Sequence, residues 1–586
     1  MHPSSSRRSL LATYLWPQWT SVALLVLLLL TSTGLQLVLP QIVRTFIDIA
    51  TAGGSLPMLF RIAMSFVAVT IINQASAVAE TYVAENVGWT ATNALRADLA
   101  RHCLALDISF HNIHTPGEMI ERIDGDVTTL SNFFSRFIVY LLGSGLLLSG
   151  ILVLLFREDW RVGMILSLFT FLALFIIHRS RSFAVPAFGR ERQASADLYG
   201  FLEERLSGLV DIRANGGHGH VMNRLHVAQR NLFQAAVGAY LRGTWTWQST
   251  TALFTLGAGI ALGLGTWLFL RGSITIGTVY LLYSYTEMLR RPTELILRQV
   301  GDLQRASAGM MRIRSLFTLQ PTIHDGHGHI MPTGPLSVAF DHVGFRYHPD
   351  TPVLRNVSLC MPPGRTLGLL GRTGSGKTTI TRLLCRLYDP DQGSVRLGGV
   401  DLRDARLADL HQRVGIVTQD VQLFHASVRD NLTIFDPSIT DERIQQVLAD
   451  LGLTPWYTAL PDGLNTQLAV GGRGLSAGEA QLLACARVFL RDPGLVILDE
   501  ASSRLDPATE HLLERAMHRL LKGRTGIVIA HRLATVQRVD DVLIMEAGRV
   551  VEYGERRVLA ADPASRLSRL LAVDRGVAGE FMELMV

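Results

Sequence analysis

Residues 371–379 read Gly371-Arg372-Thr373-Gly374-Ser375-Gly376-Lys377-Thr378-Thr379. A glycine-rich loop ending in Lys-Thr can wrap backbone N–H groups around a phosphate chain. Its ammonium then reaches the β- and γ-phosphates, and the hydroxyl of Thr378 faces Mg²⁺. The lysine is informative in itself: of 55 lysines and arginines only two are lysines, Lys377 and Lys522. Arginine's planar fork is too wide to sit inside such a loop, whereas a compact ammonium is not. A second chemical element lies downstream. Gly494-Leu495-Val496-Ile497-Leu498-Asp499-Glu500 is an apolar run ending in two acids. There Asp499 would hold Mg²⁺ through water, and Glu500 would orient or deprotonate an attacking water.

These groups need a scaffold. Leu367-Gly368-Leu369-Leu370 reads as a buried strand entering the loop, and Ile380, Leu383, Leu384 and Leu387 recur at helical spacing after it. Strand, glycine loop and helix place the phosphates at a helix N-terminus. From about residue 337 short β-rich runs alternate with helical stretches, the signature of an α/β domain with a largely parallel core sheet.

The first half has another character. Apolar windows near 20–40, 58–79, 135–156, 161–178, 251–270 and 275–290 are each close to the length that crosses ~30 Å of hydrocarbon as a helix. They predict six spans. The connections at 51–57, 157–160 and 271–273 are short, whereas 80–134 and 179–250 are long, helical in composition and rich in Arg, Glu and Asp. Short gaps therefore face one side and long gaps the other, and the positive-inside rule puts the arginine-rich side in the cytoplasm. Asp107-Ile108-Ser109-Phe110-His111 and Leu206-Ser207-Gly208-Leu209-Val210-Asp211 fall at the tips of these long gaps, as turns that could touch a soluble domain. Residues about 316–336 read as a polar linker, with His324, His327 and His329 lacking carboxylates or cysteines to complete a metal site.

Charged residues make up only 18% of the chain, and the formal charge is +5. The arginines are scattered, without the clustering and aromatic interleaving of a nucleic-acid surface, so no nucleic-acid partner is expected. Cys103, Cys360, Cys385 and Cys485 form no CxxC pair and are expected as reduced thiols.

With these motifs in order, the chain resembles an exporter-type ATP-binding-cassette transporter half, similar to multidrug and lipid exporters. The resemblance covers nearly the whole chain. It implies an all-α six-helix transmembrane domain (1–320), a linker (321–336) and an α/β P-loop NTPase domain (337–586). It implies ATP and Mg²⁺, with Thr378, Gln419 and Asp499 around the metal and Glu500 and His531 as catalytic residues. Tyr347 matches the adenine-stacking aromatic, and Leu475-Ser476-Ala477-Gly478-Glu479 occupies the signature position, which contacts ATP held by a second cassette. Asp506, in Ser503-Arg504-Leu505-Asp506, matches the dimer-contact loop. One chain carries one cassette, so the implied working unit is a dimer in the lipid bilayer of the cell membrane, with the ATPase domain in the cytoplasm.

The sequence departs from that pattern in its signature. Ala477 stands where glycine is usual, Glu479 where glutamine is usual, and Arg504 where a small residue is usual. Beside intact Lys377, Asp499, Glu500 and His531, this favours a heterodimer over a homodimer. The function implied is ATP-driven export by alternating access, the substrate being an amphipathic drug or lipid. Gln36, Asn73, Gln74 and Gln248 are the polar candidates for a cavity. The alternatives are an importer on the same fold, an ATP-gated channel or regulator, and a soluble mechanical ATPase, the last opposed by six apolar spans.

Overall fold

The computed structural model describes residues 10–576, apart from 134, 136, 137, 327, 473, 500–506 and 531–535. The chain divides into two compact units, residues 1–104 with 116–319, and residues 105–115 with 320–586.

The first unit is helical. Its long helices are α1 (Trp19–Thr51) and α2 (Leu56–Ala105). A short helix, α3 (Ile108–Ile113), follows and belongs to the second unit. Then come α4 (Ile138–Glu158), α5 (Trp160–Ser207), the short α6 (Leu209–Ala214) and α7 (His218–Leu270). Last are α8 (Ile276–Met288) and α9 (Arg290–Thr318). Among the described residues five helices are long and apolar enough to cross a membrane. The sixth window falls on α8, 13 residues long, which runs through Leu289 into α9. The predicted helical extensions are present, since α2, α5 and α7 are 50, 48 and 53 residues long. The two predicted tip turns coincide with α3 and α6.

The expected sidedness is visible where the short connections meet. Arg44 near the end of α1 pairs with Glu158 at the end of α4 (2.6 Å). Asp48 accepts from the Gly277 N–H and the Thr275 hydroxyl, both at 2.8 Å, at the start of α8. A Cβ on Gly277 would lie 2.5 Å from the Arg44 carbonyl, so glycine permits this close approach. Along α2 the apolar side chains stay exposed, Phe60 at 67% and Ile71 at 63%. A surface of that kind is stable against lipid or a partner rather than water.

The second unit contains two sheets. Strands β1 (Val338–His348), β2 (Thr351–Met361), β4 (Gln392–Leu397) and β5 (Val400–Asp401) form an antiparallel sheet in the order β2-β1-β4-β5. The other sheet has the order β10-β9-β3-β8-β7-β6. It is built from β3 (Thr366–Gly371), β6 (Val414–Val417), β7 (Leu495–Asp499), β8 (Thr525–Ile529), β9 (Asp541–Glu546) and β10 (Arg549–Glu555). Its pairs are parallel except β9–β10. Parallel strands need both faces covered, which explains their unbroken apolar sequences: Leu495, Val496 and Ile497 are all fully buried. Helix α10 (Lys377–Leu384) follows the glycine loop on one side of the sheet, and α11 (Ala477–Arg491) and α12 (Pro507–Leu521) precede and follow β7.

The segment whose composition reads as a polar linker is tied down. Asp325 accepts from the Leu407 N–H (2.8 Å), the His324 carbonyl accepts from Arg386 (2.9 Å), and Gly326 N–H donates to Ala405 (3.2 Å). A side chain on Gly326 would collide with the Asp404 backbone at 2.3 Å.

Candidate active site

Strand β3 delivers the chain to the glycine loop, and three glycines turn it with φ values open to glycine: Gly371 at +149°, Gly374 at +80° and Gly376 at +104°. Gly376 is the N-cap of α10, and its carbonyl accepts the first helical bond from Ile380 (3.1 Å). Lys377 is 6% exposed. Its ammonium donates to the Gly371 and Arg372 carbonyls, the latter at 3.0 Å. The charge is thereby held inside the loop. Ser375 is buried, and its hydroxyl oxygen has no hydrogen-bond partner. A buried hydroxyl without a partner is unfavourable on its own and suits a phosphate oxygen brought by a nucleotide. Thr378 is exposed at the start of α10, and Thr379 is buried.

Tyr347, near the end of β1, shares a hydrogen bond with the Thr379 hydroxyl (3.2 Å) and accepts one from Arg382 (3.2 Å). Its ring stands edge-on to Phe345 (4.9 Å, 89°) and to Tyr388 (5.2 Å, 82°). The aromatic is therefore fixed against the helix that carries the lysine. Arg382, which periodicity and motif do not single out, lies 5.7 Å from the Tyr347 ring centre. Its position five residues after Lys377 carries no signal until the strand bearing Tyr347 is placed beside α10.

The carboxyl ends of the parallel strands collect the remaining motifs. β8 lies between β3 and β7, with Leu369 paired to Ile529 and Asp499 paired to Ile529. Next in order is β6, where Val417 pairs with Leu498, two residues before the exposed Gln419. The glycine loop, Asp499 and Gln419 thus leave the same edge of one sheet, where ligands bind in open parallel sheets. Glu500 and His531 lie outside the described residues, as do Asp506 and Arg504; the chain neighbours Asp499 and Ala530 stand at the end of β7 and just after β8. Thr378, Gln419 and Asp499 offer hydroxyl, amide and carboxylate oxygens, a donor set that suits Mg²⁺.

Comparison with known proteins decides the family. The model of the ABC transporter transmembrane region matches residues 22–293, and that of the ABC transporter matches residues 354–503. A fatty acid ABC transporter ATP-binding/permease protein of Mycobacterium bovis is 30% identical over 467 residues, which is 80% of this chain and 74% of that protein. The chain belongs to the ABC transporter family. Membrane region and ATPase are fused in one chain, and it is an ATP hydrolase coupled to transport. An ATP-dependent lipid A-core flippase of Alcanivorax borkumensis is 29% identical over 79% of this chain and 80% of its own length. A multidrug efflux ATP-binding/permease protein of Mycobacterium bovis is 31% identical over 94% of this chain, which spans 46% of that protein. A solved bacterial Atm1-family ABC exporter with ATP bound superposes with a TM-score of 0.78, covering 96% of this chain and 99% of that one at 22% identity. The fold is therefore that of an ABC exporter.

The segment expected to be the signature begins helix α11. Ser476 is its N-cap, its hydroxyl accepting from the Glu479 N–H (3.2 Å) while the Glu479 carboxylate accepts from the Ser476 N–H (2.7 Å). This reciprocal capping box satisfies two helix N-terminal donors. Glu479 is thus turned back onto its own helix end, while Ser476 and Ala477 are exposed and Gly478 is buried. Within the second unit, α3 rests on the same aromatic group as Tyr347: Asn112 donates to the Tyr388 hydroxyl (2.9 Å).

Proposed function

We propose that this chain is one half of a dimeric exporter of the cell membrane, with its ATPase domain in the cytoplasm and an amphipathic substrate. The observation that carries this reading is the convergence of the glycine loop, Asp499 and Gln419 on one edge of a parallel sheet, with a partnerless buried hydroxyl at Ser375. Backbone N–H groups of residues 371–376, Lys377, Thr378 and Thr379 bind the phosphates of ATP, and Tyr347 stacks on the adenine. Thr378, Gln419 and Asp499 hold Mg²⁺, which neutralises charge on the β- and γ-phosphates. Glu500 orients or deprotonates the attacking water, and His531 contacts the γ-phosphate. Ser476, Ala477, Gly478 and Glu479 meet ATP on the partner cassette, and Asp506 contributes to the dimer contact. ATP binding closes the two cassettes and hydrolysis releases them, switching the helices between inward-open and outward-open cavities.

An altered signature beside a complete set of hydrolytic residues supports a heterodimer. This chain's ATP would be completed by the partner's signature, and its own signature would complete a weaker second site. The substrate assignment draws on the relatives, whose names specify fatty acid, lipid A-core and multidrug transport. The test is Mg-ATP hydrolysis by this chain alone in lipid nanodiscs, with Lys377→Ala and Glu500→Gln as controls. Turnover unchanged in Lys377→Ala would overturn the nucleotide assignment. Turnover equal to that of Glu500→Gln supports a missing partner half, whereas robust turnover lost in Glu500→Gln establishes a homodimer and refutes the heterodimer.

A further inference from the structure

Three arginines gather in the ATPase domain at a place that the nucleotide chemistry does not use. Along β1, Tyr347 turns to α10 and meets Thr379, while its neighbour Arg346 takes the other face of the strand. There Arg346 stands opposite Pro352 of β2. The turn between β9 and β10 closes on the same strand, the Arg355 N–H donating to the Gly548 carbonyl (2.8 Å). A Cβ on Gly548 would lie 2.2 Å from the Val353 carbonyl, and its φ is +79°, so glycine permits this close seam between the two sheets. A cavity of about 580 Å³ lies here, lined from β1, β2 and β10 and by Asp391 and Gln392. Arg346, Arg355 and Arg549 all line it, whereas Tyr347 and residues 371–379 do not.

The charges in this cavity do not cancel. Asp391 is taken by Arg346, accepting from its N–H (2.9 Å) and its Nε (3.3 Å), while Arg346 Nη1 donates to the Pro349 carbonyl (3.0 Å). Arg346 is thereby held in place. Arg355 and Arg549 are exposed, and neither guanidinium has a hydrogen bond or ion pair among the described residues. Asn356 adds a donor: its Oδ1 faces His342 Nδ1 (2.7 Å), and its amide N–H groups have no partner among the described residues. Three guanidiniums against one carboxylate draw anions into a cleft, and the guanidinium fork matches phosphate oxygens two at a time. The volume lies within the range of small-molecule sites, about 300–1,000 Å³. A nucleic acid would need an extended basic stripe instead. From this juxtaposition we infer that Arg346, Arg355, Arg549 and Asn356 form a binding site for a compact ligand bearing two or more phosphate charges, separate from the ATP site. This goes beyond ATP-driven transport and does not depend on it. Leu354 adjoins both sites, since it lines the cavity and stands 2.6 Å from where a Cβ on Gly376 would lie.

The test is equilibrium dialysis of radiolabelled fructose 1,6-bisphosphate against the full chain in nanodiscs of neutral lipid, with the ATP site saturated by Mg²⁺ and a non-hydrolysable ATP analogue. Saturable binding is expected. Arg355→Gln and Arg549→Gln should each weaken it about tenfold, the loss of one charge-assisted contact. Arg519→Gln, which removes an exposed arginine from α12, should leave it unchanged. Absence of saturable binding, wild-type affinity in both cavity variants, or an equal loss in Arg519→Gln would each overturn the site. Displacement by excess ATP analogue would put the sugar phosphate in the nucleotide site and overturn it too. Should a cavity variant fail to fold, the unaltered protein still answers: fructose 1,6-bisphosphate should protect Arg355 and Arg549 from phenylglyoxal, read by mass spectrometry, and unprotected modification refutes the proposal. Replacing part of the neutral lipid by cardiolipin separates two sources of the phosphate groups. Unchanged affinity for the sugar phosphate supports a soluble ligand, and competition supports a lipid head group in the same site. Because the readout involves neither hydrolysis nor transport, this site and the transport reading fail separately.

Discussion

Adding one methyl group in the glycine loop should separate backbone strain from steric exclusion. Gly374 and Gly376 both have positive φ, +80° and +104°, but differ in surroundings. A Cβ on Gly374 meets nothing within 4 Å, whereas one on Gly376 lies 2.6 Å from Leu354 Cδ2 and 3.3 Å from Met545 Cε. Alanine in the left-handed region costs about 1–2 kcal/mol. For Gly374→Ala that is the whole effect, a loss of about 5- to 30-fold in nucleotide affinity. At Gly376 the neighbours are side-chain ends and can move, yet Leu354 and Met545 are each 1% exposed within the core beneath the sheet. Repacking there adds about 1–3 kcal/mol, bringing Gly376→Ala to about 2–5 kcal/mol and a loss of about 30-fold or more. The assay is titration of a fluorescent ATP analogue with Mg²⁺ against the full chain in nanodiscs. Thermal melting in parallel captures whatever part of the strain appears as instability. Equal effects of the two substitutions on affinity and melting, or a Gly376→Ala protein indistinguishable from wild type, would refute this account of the loop.

Other expectations concern residues around the site. Glu479→Ala removes one arm of the capping box and should lower stability by about 1 kcal/mol; Glu479→Gln keeps the hydrogen bond and should leave melting unchanged while raising dimer ATP turnover, so a lower melting temperature in Glu479→Gln would contradict the geometry. Tyr388→Phe deletes the hydroxyl that Asn112 reaches, a bond worth about 0.5–1.5 kcal/mol; transport per ATP hydrolysed should fall in reconstituted vesicles, and an unchanged ratio would deny this contact a coupling role. Burial pushes the Cys385 and Cys485 thiols up to about 12. At pH 7.5 each stays protonated, so maleimide should label exposed Cys360 well before them, and peptide mapping showing equal rates would refute their burial.

Much of the ATPase was legible because its chemistry is local. The loop at 371–378 fixes a strand before it and a helix after it. A strand ending in Asp499 can meet that loop only if both strands run parallel in one sheet. The helical extensions were legible from the Ala-, Leu- and Arg-rich gaps. Less legible were features set by tertiary neighbours. Glu479 looks like a charge offered outward until the helix N-terminus behind it is seen to take it. Residues 324–326 look like free linker because their polarity is visible and their partners, Arg386, Ala405 and Leu407, are distant in sequence.

The membership of α3 in the second unit bears on how the protein is made. Asn112 and Tyr388 are 276 residues apart. Synthesis runs from the N-terminus, so α3 emerges long before any strand of the ATPase exists. It must wait while α4 to α9 are synthesised, and only then can the sheet that receives it form. An ATPase fragment beginning at residue 320 would fold without one of its own pieces and expose the aromatic surface around Tyr388. Completion of the soluble half is thus conditional on the membrane half having already been built, which makes the docking of α3 a natural checkpoint for assembly.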